Sequence, residues 1–244
     1  MRAIILAAGA GTRLSPLTDG FPKCLVKLGG QALLDYQVRA LRGVGVDDLV
    51  LVVGYEAEQI RRHCGTGARY VENRDYATTN SIYSLYLACG ELDRESYLLN
   101  CDIIFDPRVL PRLVSCGHPN AIAVDSTVAL QSGEMNVRLT GQRVTAIGKD
   151  LDPAQAQAQS VQLVRFDAAG ARLVRDEVER LVRGEARNAF PTSAYGPLIA
   201  DGALFGVEVG DLTWTEIDTL ADYDRAAQKV LPRLGSDQGA RAIR

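Results

Sequence analysis

Arg2-Ala-Ile-Ile-Leu6, then Ala7-Ala8-Gly9-Ala10-Gly11-Thr12-Arg13-Leu14, then Pro22-Lys23, decides the reading of this chain. An apolar run of strand length empties into a loop of small residues that carries an arginine, and a lysine follows ten residues later. Small side chains from Ala7 to Gly11 keep little between the backbone and a ligand. Backbone N–H groups can then point at an anion, and glycine permits the positive φ angles that such a nest needs. Arg13 and Lys23 add a planar fork and a point charge for the same anion. The pattern suits a triphosphate. A dinucleotide fingerprint would need glycine where Leu14 stands, and a P-loop would need Gly-Lys-Ser/Thr where Gly11-Thr12-Arg13 stands.

Composition bounds the rest. The 244 residues, 47% of them hydrophobic, suffice for one large α/β domain or two small ones. A net charge of −3 argues against a general nucleic-acid binder. No apolar run reaches the length of a membrane span, and the start lacks a signal-peptide pattern, so a soluble cytoplasmic protein without a membrane partner is expected. Cys24, Cys64, Cys89, Cys101 and Cys116 lack the spacing of a zinc ribbon, a redox pair or a disulfide framework. They read as small buried thiols. His63 and His118 stand alone, without metal or triad spacing.

Strand-like runs alternate with helical patterns through the first half. Ala3–Leu6, Asp48–Val53, Ala68–Val71, Ser96–Cys101 and Ala121–Val124 read as strands. Gln31–Arg42, Glu56–His63, Asn80–Leu92 and Pro107–Val114 read as helices. This order implies a mostly parallel sheet with helices on both faces, whose ligand binds beyond the C-terminal strand ends. The loop after Leu6, Gly54-Tyr55 and Asp102 all lie at such ends. From about 127 the pattern changes: Met135–Leu139, Val144–Ile147 and Val161–Phe166 read as strands without intervening helices. A small antiparallel β lid over the site, within an acceptor lobe spanning about 127–200, is the expectation. Ala168–Arg183 reads as an amphipathic helix. The organisation expected is a single domain over 1–234 with a polar, flexible tail over 235–244.

Asp102 closes the apolar strand Leu98-Leu-Asn-Cys-Asp. A carboxylate there needs a cation or donors. Beyond a triphosphate loop the fitting cation is Mg²⁺, which takes oxygen ligands and bridges phosphates. Glu216 and Asp218, in Trp214-Thr-Glu-Ile-Asp-Thr219, form a second acidic cluster. Asp218 and Thr219 also precede a helical run and suit an N-cap. Asn80 and Ser81 start a helix as capping residues, and with Ser84 they offer amide and hydroxyl groups that could read a base or ribose.

The loop G-x-G-T-R-L with its following P-K resembles the signature of nucleotidyltransferases of the sugar-phosphate transferase fold. Gly54-Tyr55, Asn80-Ser-Ile-Tyr-Ser-Leu-Tyr-Leu-Ala88, Asn100-Cys-Asp102 and Trp214-Thr-Glu-Ile-Asp218 look like the phosphocholine and phosphonate cytidylyltransferases. The likeness spans about positions 2–224. It implies a Rossmann-like α/β fold and transfer of CMP from CTP to a phosphate or phosphonate oxygen of a small acceptor. It also implies nucleotide binding by Leu6 to Arg13, Lys23, Gly54, Tyr55, Asn80, Ser81 and Ser84. Arg13 and Lys23 would stabilise charge in the reaction. Asp102, Asp218 and Glu216 would hold Mg²⁺. Phosphocholine members carry tryptophan where this chain has Met135, and an aromatic-Trp-Asp run near Ala194-Tyr195-Gly196. A choline cage is therefore not expected. Arg138, Lys149 and Arg165 suit an anionic acceptor, with Arg138, Lys149 and Tyr195 as the acceptor-binding set. Two other readings share the loop: a sugar-1-phosphate nucleotidyltransferase using UTP, dTTP or GTP, and a non-catalytic nucleotide sensor.

Overall fold

The computed structural model describes residues 1–236. Its strands are β1 (Arg2–Ala7), β2 (Lys27–Leu28), β3 (Gln31–Ala32), β4 (Asp48–Val53), β5 (Arg69–Glu72), β6 (Ser96–Asn100) and β7 (Ile103–Phe105), followed by β8 (Ala121–Asp125), β9 (Asn136–Thr140), β10 (Arg143–Gly148), β11 (Ala158–Phe166), β12 (Phe205–Glu208) and β13 (Trp214–Glu216). β1 is buried along all six residues because it lies between β4 and β6, parallel to both, with packed layers on each face. Its alternation divides those layers. Ala3, Ile5 and Ala7 pack with Leu34 and Leu41 of the helix Leu33–Gly43 and with Leu110 and Leu113 of Val109–Ser115. Ile4 and Leu6 pack with Leu85 of Ser81–Leu87 and with Val174 and Val178 of Ala168–Arg183. A fully buried Ile or Leu contributes about 1.5–3 kcal/mol each.

The sheet order is β5-β4-β1-β6-β11-β8-β12-β10-β9, with β9 also pairing β11. The expectation of a mostly parallel sheet with a separate lid is corrected here. Beyond β6 the sheet turns antiparallel, at β11 against both β6 and β8 and at β10 against both β12 and β9; the β8–β12 pair is parallel. The strands read as a lid thus continue the main sheet, and the β9–β11 pairing curls them into a small closed barrel. The physical device is a bulge in β11. Between Ser160 and Val164 the strand advances four residues while β8 advances two, from Val124 to Ile122. Its first residues pair with β9 and its last with β6. Gln162, inside the bulge, has φ of 59°.

The helix Ala168–Arg183 matches its sequence limits, capped by Asp167, whose side chain accepts from Gly170 N. The helix expected over Gln31–Arg42 begins at Leu33 because Gln31–Ala32 pair with Lys27–Leu28. The last described helix is Leu231–Ser236; of the tail expected over 235–244, residues 237–244 lie outside the described residues. No helix among the described residues is long and apolar enough to cross a membrane.

β4 is followed by Gly54, where the chain passes between two backbones. A Cβ there would lie 2.7 Å from Ala8 O and 2.9 Å from Asn73 O. Gly54→Ala is therefore expected to cost about 1–3 kcal/mol, as overpacking against backbone does. Denaturant melts measure it, and an unchanged midpoint would show that the two loops yield freely.

Candidate active site

Three segments meet at the C-terminal ends of β1 and β6. The loop after β1 turns at Gly11 in the left-handed region, φ 62°. A Cβ on Gly11 would lie 2.9 Å from Lys23 Cβ, so the bare backbone here lets the lysine pass beneath the loop. Thr18 Oγ1 donates to Gly11 O at 2.9 Å and fixes the loop's return. Cys101 N donates to Leu6 O at 3.1 Å and sets Asp102 beside the loop. The third segment arrives through a ribbon of three-residue strands. β13 pairs antiparallel with β7, Glu216 opposite Ile103, and Ile217 N donates to Asp102 O at 2.9 Å. Glu216 and Asp218 are thereby delivered to Asp102 from more than a hundred residues away.

Lys23 is only 7% exposed. Its ammonium donates to Asp102 Oδ2 at 2.9 Å and to Asp218 Oδ1 at 2.5 Å. Arg13, largely exposed, donates to Asp218 Oδ2 at 2.8 Å. Burial alone would lower the Lys23 pKa, but the Asp102 and Asp218 carboxylates outweigh it and hold it above its ordinary value. Burial would likewise raise Asp218, and Lys23 and then Arg13 overcome that and lower it. Glu216 lacks such a partner. Burial first, then the Asp102 and Asp218 charges, push its carboxyl up to about 9.

Asp102, Glu216 and Asp218 each offer an oxygen within 4.8 Å of the others. Asp102 Oδ1 is buried without a hydrogen-bond partner. An all-oxygen, anionic donor set with an unsatisfied lone pair fits a hard divalent cation such as Mg²⁺. Asp218 is not used as a helix cap: Thr219 and Asp222 form the capping box of Leu220–Arg225, so the N-cap role considered for Asp218 falls to Thr219, and the Asp218 carboxylate faces Lys23 and Arg13 instead.

These groups wall a cavity of about 330 Å³. Leu6, Ala8, Gly9, Gly11, Thr12, Arg13 and Lys23 line it on the loop side, with Asn80, Ser81 and Ser84 opposite. Asn80 does cap its helix, its side chain accepting from Ser81 N at 2.7 Å, while still facing the cavity. Ala7 is buried in the core beneath the loop, and it and Ala10 are absent from the lining. Gly54 and Tyr55 are also outside the lining and act as braces. Tyr55 N donates to Ala8 O at 2.9 Å, and its hydroxyl accepts from Gly20 N at 2.9 Å.

The acceptor set divides. Lys149 faces the cavity, its ammonium 5.3 Å from the Phe190 ring centre. Arg138 does not: it donates to Gln155 on the far side of its strand. Arg165 is paired with Glu95 and donates to His118 O at 3.1 Å. Tyr195 is buried against Phe166, burial raising its hydroxyl pKa, and it lines a smaller cavity behind the first. Asn73, Asn100, Gln162 and Phe190 line the site without having been singled out from the sequence. Asn73 left a signal, a buried-type position directly after a strand. It bonds Ser84 Oγ at 3.0 Å.

A pH test follows from Glu216. A carboxyl whose pKa is raised by folding binds its proton more tightly in the native state, so its contribution is favourable below the unfolded value near 4.5 and is lost as pH rises toward about 9. Glu216→Gln, which keeps a neutral acceptor there, is expected to stabilise the metal-free protein increasingly as pH rises through that window. Denaturant melts in chelator at pH 5 and pH 8 check it; parallel profiles for variant and parent would refute the raised carboxyl.

The CMP-5'-(3-aminopropyl)phosphonate synthase of Streptomyces rubellomurinus is 30% identical over 95% of this chain and 39% of its own length. The choline-phosphate cytidylyltransferase of Streptococcus pneumoniae is 43% identical over 42% of this chain and 44% of its own. The chain thus spans less than half the length of either relative. The solved structure of a CTP:phosphocholine cytidylyltransferase from Streptococcus pneumoniae superposes with a TM-score of 0.77 at 26% identity, covering 94% of this chain and 98% of that one. The loop, the lysine beneath it and the strand-end carboxylates fall within residues 3–243, which match the model of the MobA-like NTP transferase domain, and the chain belongs to that family.

Proposed function

We propose that the chain is a CTP-dependent cytidylyltransferase that transfers CMP to a phosphate or phosphonate oxygen of a small acceptor and releases pyrophosphate. The observation that carries this is Lys23 held between Asp102 and Asp218 under a glycine-turned loop, a cation and a carboxylate trio brought to one point beside a cavity of about 330 Å³. The likeness to proteins that use CTP supports the choice of nucleotide.

The reaction needs no protein nucleophile. An acceptor oxyanion attacks the α-phosphorus, the bond from that phosphorus to the β-bridging oxygen breaks, and its electron pair leaves on pyrophosphate. The chain's task is positioning and charge. The loop from Leu6 to Thr12 presents backbone to the triphosphate. Lys23 and Arg13 now neutralise carboxylates, and with nucleotide bound they offer the same charge to phosphate oxygens. Mg²⁺ held by Asp102, Asp218 and Glu216 would offset triphosphate charge and polarise the α-phosphate. Asn80, Ser81 and Ser84 offer polar groups to the nucleoside. Lys149 supplies the cation for the acceptor's phosphorus group.

Pyrophosphate release from CTP, UTP, dTTP and GTP, each with a panel of phosphonates, phosphocholine and sugar 1-phosphates, tests the assignment. CTP is expected to win, and preference for another nucleotide with a sugar phosphate would transfer it to the sugar-phosphate branch. Binding of CTP with no pyrophosphate from any acceptor would make the chain a sensor.

Two variants test the machinery. Lys23→Ala is expected to lower kcat by about 10²-fold or more, the cost of one preorganised cation on phosphate charge. Asp102→Asn keeps the shape, removes the charge and is expected to be nearly inactive, as is the parent in chelator. Parent-like turnover of a folded variant, or full activity in chelator, would remove that residue or the metal from the scheme.

A further inference from the structure

Gln162 is a non-glycine residue in the left-handed region, φ 59°, in the middle of β11. Most residues reach that region only at a cost, and where one is kept there the surroundings hold it. They do so here from both ends of the side chain. Its Oε1 accepts from Asn100 Nδ2 at 2.5 Å, and its Nε2 donates to Glu216 Oε2 at 2.5 Å. Its own N donates to Ser160 Oγ at 2.9 Å. The amide therefore spans the mouth between β6 and β13.

Two cavities share this amide. The larger, about 330 Å³, holds the loop, Lys23 and the carboxylates. The smaller, about 30 Å³, lies behind it among Ile122, Met135, Val164, Pro191 and Tyr195. Gln162, Asn100 and Phe190 border both. The smaller one has room for about one or two water molecules. Besides Arg13 and Lys23 of the loop region, the cation that lines the larger cavity is Lys149, beside Phe190. An anionic phosphorus group drawn there by Lys149 carries its tail toward Phe190 and the Gln162 amide.

We propose that Gln162 sets acceptor specificity: its amide closes the apolar space beneath Tyr195 and ends the acceptor site. The acceptor class is a phosphate or phosphonate with a compact tail bearing a primary ammonium or hydroxyl, which donates to the remaining lone pair of Oε1, a hydroxyl also being able to accept from the remaining N–H of Nε2. A trimethylammonium head has no hydrogen to give and is too wide to stop at this wall. The inference rests on the cytidylyltransferase reading and adds to it the class of acceptor and the residue that selects it.

The test compares the parent with Gln162→Gly and Gln162→Asn. Glycine accepts the backbone angle freely and removes the wall. Asparagine tolerates the angle and shortens the wall, which guards against a folding failure in either single variant. kcat and KM are measured for 2-aminoethylphosphonate and for phosphocholine at saturating CTP, with KM for CTP alongside. The parent is expected to prefer 2-aminoethylphosphonate. The glycine variant is expected to shift the kcat/KM ratio toward phosphocholine by about tenfold or more, through acceptor KM, and the asparagine variant by less. KM for CTP is expected to stay within about twofold. An unchanged ratio in an active enzyme, or an equal fall in kcat for both acceptors, would show that Gln162 serves only to hold Glu216 and would overturn the inference alone. A parent that releases no pyrophosphate from CTP with any acceptor would overturn the reading beneath it as well.

Discussion

The ammonium of Lys23, shared between Asp102 and Asp218, is the contact on which the rest of the molecule depends. It joins the segment after β1, the end of β6 and the stretch after β13. Each of these would be electrostatically unfavourable alone. A buried lysine or a pair of buried carboxylates carries a desolvation cost of several kcal/mol per ion, and only close pairing offsets it. The apolar cluster beneath the contact repeats the same three-way junction. Leu14 comes from the loop, Ile104 from β7, and Ile217 and Val230 from the C-terminal segment. Packing brings the segments within range, and charge fixes where their tips meet.

That arrangement is poised rather than satisfied. Lys23 and Arg13 both engage Asp218, Lys23 also engages Asp102, and yet Asp102 Oδ1 has no partner and Glu216 holds a carboxyl raised to about 9. Asp102 Oδ1 is thus left as an open oxygen, and Glu216 adds its charge only where an approaching cation displaces its proton. On the reading proposed above, a divalent cation would meet that open oxygen, and a triphosphate would give Lys23 and Arg13 other anions to face. Unlike a closed salt-bridge network, this one would gain from ligand and metal together, which the proposed binding of a metal-bound nucleotide requires.

The legible part of this molecule was local. Strand, small-residue loop, Arg13 and Lys23 lie within twenty-three residues, so the periodicity and the loop chemistry could be read together. Asp102 was legible because a charge ending an apolar strand is anomalous, and the helix Ala168–Arg183 because sixteen residues give its period time to show. What escaped depends on pairing between distant strands. β7 and β13 are three residues each, too short for a two-residue period to register, though their ribbon brings Glu216 to Asp102. The barrel escaped because parallel or antiparallel pairing of β8, β11 and β12 leaves no mark on any one of them. Arg138 looked like a ligand for an anion, since sequence shows a charge but not the Gln155 that occupies it.

Gln162 shows why such a residue resists detection. Nothing in Ser160-Val-Gln-Leu-Val-Arg-Phe166 marks a break in the strand, and a left-handed position would be sought at a glycine. The bulge exists because one strand must serve two partners, β9 with its first residues and β6 with its last. The extra residues that permit this exchange turn a side chain out of the sheet's alternation and into the cavity. The same irregularity that closes the barrel thus supplies a group at the wall of the site. One wall of the cavity, where we place the nucleotide, is the loop after β1. Another wall, where we place the acceptor, is the seam between parallel sheet and barrel, at which the Gln162 amide links β6 to β13. On the proposed reading, that division would let the fold keep one nucleotide chemistry while acceptors are exchanged at the seam.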